Sequence, residues 1–394
     1  MPTSRKAAAV LALATALPLT TALPSTAPPA GASPAADALV AATSVAAAEL
    51  RGLPGRPTHS VVALNDLGQV VGTADGNGPA HAVLWSPGGA PTDLGPGLPT
   101  DLNERGQVVG LEPRRDLGPY AQHPRIWFGG GETDLAPPGA GWVLTSSINA
   151  HGVVPMTYSS SPYGYHQERA SVWRDGAHSD LPVSGPHVAL TAVNDAGVVA
   201  GSRSPTSGAD FSAFRCTGTT CTRLADAPGG YGPYSVEAVN EAGVVVGSRG
   251  TVALRWEGGA VTVLSDNGRV AHGEEALNER GDAVGWSVDA DGVRRAVLWP
   301  AGGKPVDLGV PGQSEAVAVN ERGEVVGVAW GAGGSSARAF LWRAGRLTHL
   351  APLGGSSAFP VALNDRGVVV GQSTAADGTS RPVKWAPPPG APVR

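Results

Sequence analysis

Four acids and a histidine stand where the sequence otherwise runs apolar: Asp101, Glu237, Glu274 and Glu275, with His272 close by. Carboxylates paired in this way can move protons, one donating to a leaving group while a second, ionised, activates water. They are spread over separate segments. No His-Glu-x-x-His, Gly-x-Ser-x-Gly or phosphate-loop sequence accompanies them. A hydrolase or lyase with carboxylates near a central channel is therefore an alternative reading, and no catalytic residue is assigned. No cofactor or metal is expected either. Asp289, Asp291 and Asp377 belong to turns containing Asp-Gly, and a calcium site needs about six to eight oxygens.

A second set is aromatic. All six tyrosines fall between residues 120 and 234, in or beside loops that separate short apolar runs. Tyrosine joins a rigid apolar face to a polar tip and suits stacking on a sugar or gripping a peptide. The candidate ligand-binding residues are Tyr120, Trp142, Tyr158, Tyr163, Tyr165, His166, Tyr231 and Tyr234, with Arg114 and Arg115 nearby. The competing reading is that these side chains only pack long loops upon themselves.

What must position these groups is a repeat. The phrase apolar-Asn-x-x-Gly recurs at Asn65, Asn103, Asn149, Asn194, Asn240, Asn278, Asn320 and Asn364, with an acid after the Asn in every unit but the third. The spacings are 38, 46, 45, 46, 38, 42 and 44 residues, the length of a four-stranded propeller blade. The seventh unit shows the cut: apolar runs at 316–319, 324–327, 339–342 and 347–350. Asn followed three residues later by Gly is type I turn chemistry, so the Asn/acid ladder reads as turns and not as a metal site. A small residue stands two before the Asn in seven units, with Asp101 the exception; strands crowd at a propeller axis, so this is the innermost strand. Trp85, Trp127, Trp173, Trp256, Trp299, Trp342 and Trp385 end the third strands, with Cys216 in that slot in the fourth unit, and read as packing between blades.

The eighth unit stops after Trp385 and lacks a fourth strand, while 44–50 and the linker after it resemble the fourth strand and linker at 92–97. The expected fold is all-β: an eight-bladed propeller over 44–394, closed by its N-terminal strand. Seven blades is the alternative if the third unit, where Pro155 and Met156 replace Val and Gly, is distorted. Function then belongs to loops. The linkers and second-to-third-strand loops gather on one face, where the tyrosines fall, and the Asn turns gather on the other.

The repeats resemble the HAF family, the probable extracellular repeat named for His-Ala-Phe. The matching tripeptides are His81-Ala82-Val83, Arg295-Ala296-Val297 and Arg338-Ala339-Phe340, each followed by Leu-Trp, with Leu350-Ala351-Pro352-Leu353-Gly354-Gly355 as the linker phrase. The resemblance implies an exported repeat protein of propeller form with no assigned activity. The residue four before the Trp is His81, His123, Arg169, Arg295, Arg338 or Arg381 in six units. It is expected to be solvated or locally paired; a ring of ion pairs with the acids after the Asn is the alternative.

Residues 1–32 read as a signal peptide: Arg5 and Lys6, an apolar run to Leu19, and a small-residue cleavage site at 30–32, with 36–38 as a second choice. Residues 33–43 are a low-complexity linker. Removing 1–32 moves the formal charge from −5 to −7, which argues against nucleic acid. No other run is long and apolar enough to span a bilayer. In an oxidising compartment Cys216 and Cys221 are expected to pair across a hairpin, adding about 2 kcal/mol. Together these features predict a secreted, monomeric, non-enzymatic binding module for an extracellular glycan, peptide or protein. A structural or adhesion role is a further alternative.

Overall fold

Short strands joined by tight turns pair with their chain neighbours, because nothing else is within reach. The computed structural model describes residues 44–114, 121–161, 167–204, 211–331, 334 and 336–386. The segments read as signal peptide (1–32) and linker (33–43) lie outside them. Eight four-stranded antiparallel sheets form, spanning 58–96, 98–134, 142–185, 187–223, 234–265, 268–307, 313–350 and 354–385. They are numbered blades 1 to 8, and together they make an all-β propeller.

Blade 8 has three strands of its own, and Ala48–Glu49 supplies the fourth, antiparallel to Ser380–Trp385. Closure by the N-terminus is thus as expected, with one addition. Ser44–Val45 pairs in parallel with the outer strand of blade 7 before the chain crosses to blade 8. The segment after it acts as a linker: the Trp85 indole donates to the Arg51 carbonyl, as Trp256 does to Ala225 and Trp385 to Ala351. Cys216 and Cys221 face each other across the outer hairpin of blade 4 and are disulfide-bonded. Among the described residues no helix is long and apolar enough to cross a membrane.

The turn asparagines do more than turn. In each unit Oδ1 accepts the N–H of the residue four ahead. Nδ2 donates to the main-chain carbonyl of the next blade's Asn, from Asn65 to Asn103 and onward until Asn364 donates to Asn65. The ring of eight is closed, and all its members are buried. A second ring lies beside it. The carboxylates of Glu104, Asp195, Glu241, Glu279, Glu321, Asp365 and Asp66 each accept the N–H that follows the previous blade's Asn. It is broken only where Ala150 replaces the acid. Four of the six basic residues before the Trp pair locally instead: His81, His123, Arg295 and Arg381 with Asp93, Asp134, Asp289 and Asp377.

The third residue of each Val-Val-Gly phrase has a steric cause. In blades 1, 2, 4, 5, 7 and 8 the innermost strand bulges by one residue three before the Asn. The strand carbonyl beside the bulge crowds the second strand, so that a Cβ on Gly72, Gly201, Gly247 or Gly371 would overlap the carbonyl oxygen of Ser60, Ala189, Ser235 or Phe359. Blade 3 has Met156 there, and its Trp142–Thr145 strand pairs with no shift of register. The irregular third unit is therefore a full blade that has lost the bulge along with the glycine. Gly201→Ala is expected to cost about 1–3 kcal/mol by overpacking, read as a drop in thermal midpoint; a change within about 0.5 kcal/mol would contradict the steric account.

Candidate functional site

In blade 6 the bulge has grown. Between the paired positions Val270↔Gly285 and Leu277↔Ala283 lie residues 271–276, where blade 1 has only Val62 and Ala63 between Val61↔Gly72 and Leu64↔Val70. Gly273, at φ 94° in a region closed to most side chains, turns the chain into the short 3-10 turn Glu274–Ala276. Glu274 and Glu275, expected on a strand, therefore sit in an insert.

The insert crosses the propeller axis. Glu274 accepts the Val193 N–H at 3.2 Å, in blade 4, and Glu275 the Leu363 N–H at 3.1 Å, in blade 8. Blades 4 and 8 face each other across an eightfold ring, and blade 6 lies midway. From the far side, in blade 2, comes Asp101, which takes the Leu102 N–H at 2.7 Å and the Ile148 N–H at 2.9 Å. Three carboxylates thus link blade 2 to blade 3 and blade 6 to blades 4 and 8.

Gathering three acids there has an electrostatic consequence. Burial pushes Asp101 up to about 6 against the pull of its two N–H donors. Burial and the Asp101 charge hold Glu274 well above the usual carboxylate range. Burial, reinforced by the charges of Asp101, Asp66 and Asp365, lifts Glu275 to about 8. Near neutrality Glu275 keeps its proton, while Asp101 is largely ionised and supplies the charge that the two glutamates feel.

Above them on the insert is His272, whose side chain is 73% exposed while its partner Glu237 is 9% exposed. His272 Nδ1 lies 3.3 Å from Glu237 Oε1. Glu237 also accepts from Ser235 Oγ and from the Gly273 N–H. Burial alone would raise Glu237, but the hydrogen bond and charge of His272 outweigh it and hold it low; the same contact raises His272. Next to them Glu315, raised by burial, pairs with Arg294 at 3.1 Å. Among the described residues no group of three or more His, Cys, Asp or Glu is placed to hold a metal ion.

The five acid-base candidates therefore converge in the channel, as two neighbouring sets joined by the insert. Of the aromatic candidates, Tyr158, Tyr234, Tyr231 and Trp142 are among the described residues. Tyr158 is buried with its hydroxyl donating to Asp180 at 3.0 Å. Tyr234 is buried, accepts the Ala227 N–H and lies under Arg249. Both rings serve the protein's own packing. Tyr231 is 93% exposed, and Trp142 is half-buried at the start of its strand. Tyr120, Tyr163, Tyr165 and His166 lie outside the described residues. What the sequence reading missed is the insert, although its signal was present: Ala-His-Gly-Glu-Glu interrupts the apolar alternation that precedes every other Asn.

No family model and no curated protein matches the chain, so the HAF resemblance rests on its residues alone. Solved structures share the fold. Dipeptidyl peptidase 4 of Porphyromonas gingivalis is similar at 9% identity and a TM-score of 0.51, over 82% of this chain and 58% of that one. A streptogramin B lyase is similar at 11% identity and a TM-score of 0.47, over 86% and 96%. Puromycin hydrolase is similar at 15% and 0.46, over 86% and 60%. This chain spans about three-fifths of the peptidase and of the puromycin hydrolase. At such identities the likeness is one of fold.

The raised acids set a pH dependence of stability. Glu275 has a folded pKa of about 8 against about 4.3 unfolded. Its contribution is fully present below the unfolded value and is lost as pH rises through the folded one. Glu275→Gln keeps an oxygen for the Leu363 N–H and cannot ionise. It should raise the melting temperature at pH 8 by at least about 2 °C, with the gain vanishing towards pH 5. Parallel melting curves across that range would contradict the assignment.

Proposed function

We propose that the chain is an exported, non-enzymatic binding propeller that seats its ligand in the loop-side half of the channel. The observation that carries this reading is the blade 6 insert. By reaching the inner strands of blades 4 and 8 it makes a floor, so the channel is a blind pocket open towards the linkers and the second-to-third-strand loops, with His272 presented on the floor. Export rests on the signal-like segment 1–32 and agrees with the disulfide in blade 4. Glycans and peptides are the ligand classes that the exposed Tyr231 and the loop tyrosines suit.

One observation favours a second reading. A histidine oriented by a buried carboxylate, with its other nitrogen facing an open pocket, is an acid-base pair, which fits a hydrolase or lyase. The two readings part on turnover. Incubated with glycan and peptide panels, the chain should retain bound ligand unchanged by mass spectrometry, and His272→Ala should weaken binding by at least about tenfold at an unchanged melting temperature. Product formed by the parent chain and not by His272→Ala would establish the enzyme reading; binding that survives His272→Ala but not Tyr231→Ala would move the site to the outer loops.

A further inference from the structure

The walls of this pocket come from one ring of positions on the innermost strands, immediately before the residue paired with the crowded glycine or its counterpart. These are Ser60, Leu98, Leu144, Ala189, Ser235, Arg269, Glu315 and Phe359. All keep accessible surface, whereas the next residue of each strand is buried. That alternation puts the ring on the channel side. Its chemistry is divided. Blades 5, 6 and 7 supply Ser235, Arg269 and Glu315, with His272 below them. Blade 8, next to blade 7, supplies Phe359; across the axis blades 2 and 3 supply Leu98 and Leu144, and Trp142 stands two residues above Leu144 on the same face of its strand. Phe359 is 41% exposed, an unusual position for a large apolar ring on an inner strand.

On the polar arc the charges pair off with one remainder. His272 is held by Glu237 and Arg294 by Glu315. Arg269 lies beside His272 closely enough to disfavour its protonation, and its Nε is buried without an acceptor among the described residues. The side chain as a whole is half-buried and makes no ion pair among the described residues, so a carboxylate entering the pocket would meet an unneutralised guanidinium and form a charge-assisted bond with it.

We propose that the pocket binds an amphipathic carboxylate, its acid group on Arg269 and His272 and its apolar body against Phe359, Leu98 and Leu144. The proposal rests on the blind-pocket reading and specifies its ligand class. A pocket of mostly apolar wall with a few convergent polar groups is how small-molecule sites are built. The acids Glu237 and Glu315 set the selectivity: each is already paired, so a ligand cation would find no free carboxylate, and a ligand anion finds Arg269. Binding should tighten at lower pH, because protonated His272 adds a second positive group. The charged groups around His272 are Glu237, Glu315, Arg269 and Arg294 above the insert, and Glu274, Glu275 and Asp101 at and below it.

The test is calorimetric titration of the purified chain with phenylbutanoate, phenylbutanol and phenylbutylamine at pH 6 and pH 8. The acid should bind at least about tenfold tighter than the alcohol, and the amine weaker than both. Arg269→Met should bring the acid down to the alcohol's affinity. His272→Gln should remove the tightening at pH 6, each variant melting as the parent does. Equal binding of all three probes, an acid preference that survives Arg269→Met, or no binding of any probe would overturn the carboxylate assignment. Probe binding unaffected by Leu144→Arg and Phe359→Arg would instead show that the blind pocket itself is wrong.

Discussion

Eight sheets can be arranged in a ring only if something fixes each against the next, and here a single side-chain amide does so. Each buried Asn spends its oxygen on its own turn and its nitrogen on the carbonyl of the following Asn. The circuit returns from Asn364 to Asn65 across 299 residues of sequence. A net contribution of about 1 kcal/mol per bond is modest. The greater constraint is that an unmatched amide at any station would leave a buried polar group unsatisfied, so a blade that tilts or drops out disturbs two neighbours. The carboxylate ring repeats the linkage one residue on, and the indole-to-linker bonds repeat it further from the axis. Eightfold spacing follows, and with it the placing of blade 4 opposite blade 8 and blade 2 opposite blade 6.

The inner strands carry a second constraint, the bulge. It forces a carbonyl towards the second strand and leaves room only for glycine opposite. The N–H of the residue before the Asn is taken by a side-chain carboxylate at Leu102, Val193 and Leu363, on bulged strands, and also at Ile148 in the unbulged blade 3. In blade 6 the same bulge holds four more residues. The insert is thus an enlargement of a feature that six other blades have in its minimal form, and its two glutamates answer N–H groups on the inner strands of blades 4 and 8. Their raised pKa values are a cost of meeting at one point, lessened by those same N–H groups.

Much of this was legible in the residues. The Asn-x-x-Gly spacing, the period near 42 residues, the missing eighth outer strand and its likeness to 44–50 all led to the ring and its closure. The turn reading of Asn was true but incomplete, since a repeat seen along one chain does not reveal a bond made to the next blade. Asp101, Glu237, His272, Glu274 and Glu275 were identifiable as misplaced charges, yet their meeting depends on which blades stand opposite, which is a property of the closed ring. Tyr158 and Tyr234 were read as surface groups from their place beside loops; burial came from their positions within strands, where alternation directs the ring inward. Arg269 carried no motif at all, and its lack of a partner is visible only once its neighbours are paired.

The division of the channel by the blade 6 insert is the claim on which the functional account turns. Amide hydrogen exchange at Val193 and Leu363 tests it most directly, because both N–H groups are taken by the insert's carboxylates. Both amides should be protected in the parent chain and exchange rapidly when Glu274 and Glu275 are both replaced by Ala, while the neighbouring ladder amides of Val199 and Val370 stay protected. Equal exchange at Val193 and Leu363 in the two proteins would mean that the insert does not reach across the axis and that the channel has no floor.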